Sequence, residues 1–167
     1  MNKRATIAIG MALGMAWGVA LLWIASHLFI PLTAGMALAL AFFLPGLVAV
    51  AMIARLAQRR FFDDTIIDGQ PPAPSSPAAI DQAVLANTVE QLALALCIWP
   101  LVTYISGPAV VLMLGLGFAI ARILFWVGYH MAPPLRSFGF AGSFYPTVLA
   151  AFWAMSQVIT GAFSLPF

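Results

Sequence analysis

Apolar residues fill this chain in five long blocks, from Ala5 to Ala25, Thr33 to Ala54, Gln82 to Ile105, Ala109 to Tyr129 and Phe144 to Phe163. A helix across a ~30 Å hydrocarbon core takes about 20 residues, so each block predicts one membrane-spanning helix. The breaks are short at His27 to Pro31, Ser106 to Pro108 and His130 to Ser143. One long polar stretch, Arg55 to Asp81, holds the run Gly69-Gln-Pro-Pro-Ala-Pro-Ser-Ser-Pro77. Repeated prolines exclude a helix there and predict an extended loop. The pattern gives an all-α integral membrane protein, with one membrane domain over residues 1–167: an N-terminal span 5–25, a bundle 33–163, and a loop 55–81.

Composition agrees. The chain is 63% hydrophobic and 7% charged, which no soluble domain of this length can cover with polar surface. The net charge of +2 gives no electrostatic footprint for nucleic acid. The basic residues instead set topology. Lys3 and Arg4 precede the first block, Arg55, Arg59 and Arg60 follow the second, and Arg136 follows the fourth. With five crossings all six fall on one side, predicting a cytoplasmic N-terminus and an outer C-terminus. The first block is too long for a signal-peptide core and lacks a clean small-x-small cleavage site, so a retained helix is expected.

Packing signals are plain. Gly10, Gly14 and Gly18 form a small-xxx-small stripe, and Gly115 with Ala119 and Gly117 with Ala121 repeat it on the fourth span. Pro45-Gly46 and Pro100 predict kinks. Trp99 and Tyr104 fit an aromatic belt at an interface. Cys97 reads as a buried thiol with a packing role. His27 and His130 belong to opposite faces, no cluster has metal-ligand spacing, and no metal is expected. Asp63, Asp64 and Asp68 read as solvated loop acids.

Two charges fall deep inside the blocks. Hydrocarbon opposes such a residue by ~2.5–3.5 kcal/mol, so Glu90 and Arg122 are candidates for chemistry. Asn87, Glu90 and Gln91 lie at i, i+3 and i+4 on one helical face. Glu90 is ~13 Å from Asp81, and Arg122 ~10 Å from Tyr129, at 1.5 Å per residue. Both distances run from the same membrane face. The two charges therefore either pair, pinning two helices in register, or line one cavity open to the cytoplasm. Phe125, Trp126 and Tyr129 follow Arg122 at i+3, i+4 and i+7, adding aromatic walls and a phenol. The proline pair after Tyr129 returns the chain along the surface and brings Arg136 to the cavity mouth.

The stretches Asn87-Thr-Val-Glu90-Gln91, Arg122-Ile-Leu-Phe-Trp-Val-Gly-Tyr129 and Pro134-Leu-Arg136-Ser-Phe-Gly-Phe140 resemble the MAPEG family, membrane-associated proteins in eicosanoid and glutathione metabolism that include microsomal glutathione transferases. The resemblance covers about Asn87 to Trp153. It implies a four-helix bundle, here with an additional N-terminal transmembrane helix, assembled as a homotrimer with glutathione between subunits near the cytoplasmic leaflet. By resemblance Asn87 and Glu90 take polar and amine groups of glutathione, Arg122 and Tyr129 meet its carboxylate or backbone, Gln91 joins the binding set, and Arg136 stabilises the thiolate. Two positions depart from the family. The residues before Asn87, Ile80 to Ala86, contain an acid and no base, and Phe125 stands where a tyrosine is common.

The resulting expectation is a glutathione-dependent transferase or peroxidase acting on lipophilic electrophiles that enter from the membrane lipids. An arginine beside sulfur favours the nucleophilic thiolate. The alternative keeps the fold and makes the pocket a non-catalytic site for a lipid or anionic metabolite. A proton-coupled transporter using Glu90 as relay is a third reading, disfavoured by the lack of an internal repeat.

Overall fold

A computed structural model describes residues 3–131 and 133–161. It contains five helices: α1 Lys3–Ser26, α2 Ala34–Phe61, α3 Pro77–Ser106, α4 Pro108–Met131 and α5 Pro133–Ile159. All five are long and apolar enough to cross a membrane. The expected end of the fifth span at Phe163, and the ends of the expected domain, lie outside the described residues.

Three boundaries differ from the sequence expectation. α2 runs on through Arg55, Arg59 and Arg60 to Phe61, and α3 begins at Pro77 instead of Gln82. Both extensions carry charged side chains, so hydrophobicity marks where the helices leave hydrocarbon, not where they stop. Ser76 caps α3 by accepting from the Ala79 amide at 3.1 Å, and Pro77 fits the first turn, where its missing N–H is no loss. α5 begins at Pro133, so residues 134–143 are helix and not a surface connection. A proline that ends one helix is equally suited to open the next.

α4 is central and touches each of the other four helices; among the described residues α1 touches only α5 and α4. Close approach depends on small residues. A Cβ on Gly10 or Gly14 of α1 would strike Ser137 or Ala141 of α5, and one on Gly18 would crowd the Pro146 backbone. One on Gly115 would strike the Ala41 backbone of α2, and one on Gly117 the Leu21 side chain of α1. The first span is thereby seated from Gly10 to Leu21.

Large apolar side chains point outward instead, as in Val50, Leu96 and Phe152, at 62%, 60% and 71% exposure. Hydrocarbon is as good a surrounding for them as a protein core. Trp99 corrects the aromatic-belt expectation. It is fully buried, stacked on Phe42 at 4.9 Å and edge-on to Phe118 at 6.0 Å, and it donates to Thr147 of α5 at 3.2 Å. Tyr104 is exposed. Cys97 is also exposed, contrary to the buried thiol expected.

The basic side chains Arg4, Arg55, Arg59, Arg60 and Arg136 share one end of the bundle, hereafter the basic end; the opposite end carries no charged side chain among the described residues.

The α1–α5 seam yields a prediction with an internal control. Gly14→Val, overpacked against Ala141, is expected to destabilise the detergent-solubilised protein by ~1–3 kcal/mol. Gly46→Ala, with nothing within 4 Å, is expected to be neutral or stabilising. Thermal unfolding midpoints of the two variants check this.

Candidate functional site

α3 presents two different faces to its surroundings. Asp81, Val84, Thr88, Gln91, Ala95, Trp99 and Val102 are buried, a stripe of three- and four-residue steps turned into the bundle. Glu90 falls off that stripe and is exposed, while Asn87 is half-buried between them. Gln91 follows the stripe inward. Its carboxamide oxygen accepts from Ser143 of α5 at 2.6 Å, and its amide nitrogen is buried without a protein partner.

Arg122 is buried completely. One of its terminal nitrogens donates to the Asn87 side-chain oxygen at 2.9 Å, and Asn87 in turn donates to Glu90 at 3.2 Å. Among the described residues no ion pair joins Glu90 to Arg122 directly; the amide stands between them. The guanidinium carbon lies 3.9 Å from the centre of the Phe125 ring, within cation–π range. Its Nε and second terminal nitrogen have no acceptor among the described residues. A buried cation with two unanswered donors is costly in a protein interior.

The contacts continue towards the basic end. Phe125 meets Tyr129 edge-on at 5.0 Å, and the Arg136 guanidinium lies over the Tyr129 ring at 5.0 Å. Gly128 makes this possible, since a Cβ there would strike the Arg136 backbone. One continuous line of contacts thus runs Glu90, Asn87, Arg122, Phe125, Tyr129, Arg136. It brings together every expected site residue except Gln91.

A second polar centre escaped the sequence expectations. Asp81, buried at 2% exposure, accepts from Trp126 at 2.8 Å, makes a 2.7 Å contact with His130 Nε2, and pairs with Arg59 of α2. Arg60 adds a 3.2 Å hydrogen bond to Gln82. Trp126 therefore faces Asp81. Basic residues do reach the start of α3, but from the end of α2, across a loop whose acids Asp63, Asp64 and Asp68 are exposed. A signal for this was present: Arg59 and Asp81 are opposite charges on the two arms of one helical hairpin, near the turn end of each.

The model of the MAPEG family matches residues 32–156. The chain belongs to the MAPEG family. Comparisons with curated proteins and with solved structures gave no match. The matched segment spans α2 to α4 and most of α5, so the bundle is MAPEG-type and α1 is an addition to it. Membership makes this an integral, multi-pass membrane protein of the family of eicosanoid and glutathione metabolism.

Asp81 in this MAPEG bundle is predicted to be structural. Asp81→Ala leaves Arg59 without its carboxylate and is expected to cost about 3 kcal/mol, the low end for a broken buried pair because Arg59 can turn to water. Asp81→Asn, which keeps an acceptor, should cost roughly half as much. Denaturant unfolding followed by Trp fluorescence separates the two.

Proposed function

We propose that this MAPEG protein is a glutathione-dependent transferase or peroxidase for lipophilic electrophiles, working at a cytoplasm-facing site between the subunits of a homotrimer. The buried Arg122, with two donors unanswered and its third contact to Asn87, carries the reading. Glutathione offers two carboxylates, an ammonium and a thiol. Arg122 takes a carboxylate, for which its planar donor fork is suited. Exposed Glu90, steadied by Asn87, takes the ammonium. Tyr129 borders the same line of contacts, and Gln91, held by Ser143, is left out of the contact set.

Arg136 is the proposed catalytic residue. It is exposed at the basic end, anchored over Tyr129, and its charge favours the thiolate over the thiol. In transfer, the sulfur lone pair forms the bond to the electrophilic carbon as the leaving group departs with its electrons. The electrophile reaches the sulfur from the lipid.

Two features support the subunit boundary and the orientation. A carboxylate exposed on a membrane-spanning helix is costly against lipid, so the Glu90 face favours a protein neighbour. The basic end, by its Lys and Arg content, is assigned to the cytoplasm, which puts the N-terminus there.

Titration of the detergent-solubilised protein with glutathione, followed by thiolate absorbance, tests this. Saturable thiolate formation is expected. Arg136→Ala should keep binding and lose the thiolate signal, whereas Arg122→Leu should weaken binding about 10- to 100-fold, the worth of one or two charge-assisted hydrogen bonds. Absence of binding at millimolar thiol in folded protein overturns the enzyme.

A second reading, a non-catalytic site for an anionic metabolite or lipid, is favoured by Phe125, which stacks on Arg122 and brings no hydroxyl. A co-purified anion, found by mass spectrometry and not displaced by glutathione, would establish it.

A further inference from the structure

At the end of the bundle away from Arg122, α1 and the segment that follows it border a half-open cavity of about 780 Å³ with the α3–α4 turn and α5. Leu22, Val110 and Leu149 form its apolar walls, with Trp23 and Trp153 among the lining. The two indoles remain 64% and 59% exposed. Among the described residues no charged side chain lines it. One wall is α1, which lies outside the family match.

A small-molecule pocket of this size is ordinary, but in a membrane an apolar wall alone confers no selectivity, because lipid tails satisfy it equally well. Selectivity needs a polar group. The cavity has two lining hydroxyls, and they differ. Ser26 donates to the Trp23 carbonyl at 2.7 Å. The Ser106 hydroxyl oxygen is buried and makes no hydrogen bond among the described residues. A hydroxyl left unpaired in apolar surroundings favours any guest that brings it a partner. A charged guest is disfavoured, since no countercharge lines the walls and an unpaired ion is far costlier to bury than a dipole.

We propose that this cavity binds a neutral lipophile from the adjoining leaflet, an apolar body with a single hydroxyl or carbonyl group directed to Ser106. The two lining indoles are mostly exposed, as suits an amphipathic ring at the boundary of hydrocarbon and headgroup. The site is separate from the glutathione reading and stands without it.

The test uses the full chain in phosphatidylcholine nanodiscs with a photoreactive long-chain alcohol. Labelling is expected on the peptides carrying Trp23, Ser106 and Trp153. Excess unlabelled alcohol should displace it, and the fatty acid of equal length should not. Val110→Trp, which fills the cavity, should abolish labelling. Ser106→Ala should weaken it about three- to tenfold, the effect of one neutral hydrogen bond, and keeps the test valid if Val110→Trp misfolds. Even labelling over all lipid-facing helices, equal competition by the acid, or no change in Ser106→Ala overturns the proposal. So do cross-links joining two copies of the chain at these residues, which would make the cavity a subunit boundary.

Discussion

Hydrocarbon does not solvate a guanidinium, and Arg122 sits fully buried at the middle of a membrane bundle. Much of the bundle near it serves that one charge. Phe125 supplies a π face, Asn87 reaches across from α3 to accept one hydrogen bond, and α4 occupies the central position with a neighbour on every side. The charge is sheltered without being neutralised. Glu90, the nearest opposite charge in sequence terms, is held one amide away, so the pair keeps its capacity for outside partners. Direct pairing would have closed the site.

That shelter requires helices close enough to exclude lipid, which in a membrane depends on small residues and not on large apolar ones. Gly139 shows the coupling. A Cβ there would strike the Phe125 backbone, so α5 can lie against the same ring that supports the guanidinium only because residue 139 has no side chain. The glycine stripe of α1 continues the principle outward, seating the added helix against α5 and, through Leu21, against α4. Addition of α1 therefore changes the end and flank of the bundle while leaving α3 and α4, which carry the charges, in their mutual contact.

Five spans and the two intramembrane charges were legible in the sequence because the relevant physics is one-dimensional: segment length against bilayer thickness, and charge against depth. Features that depend on rotation about a helix axis were not legible in the same way. Asn87, Glu90 and Gln91 qualify as one face by spacing, yet the buried stripe of α3 passes through Gln91 and misses Glu90, and the two diverge into bundle and surroundings. Trp99 lies on that stripe and Cys97 off it, so an expected belt residue became core and an expected core thiol became surface. The start of α5 was hidden for another reason. Proline stops a helix and also opens one, and composition alone does not say which role Pro133-Pro134 plays.

The two acids of α3 show how architecture and site can be told apart. They are nine residues apart, or two and a half turns at 3.6 residues per turn, and so face opposite directions. Asp81 faces inward, and an arginine, an indole N–H and a histidine ring nitrogen converge on it from α2 and α4. Its carboxylate is answered within the chain, and the three helices are tied together as a result. Glu90 faces outward and has one amide contact. Arg122, across from it, has two donors without acceptors. Neither excess can be relieved by the other in the present geometry, because Asn87 stands between them. A ligand bearing both an anionic and a cationic group, set against this line of residues, satisfies both at once. That complementarity, and not the cost of burying charge alone, is what favours the proposed binding site over a register pin.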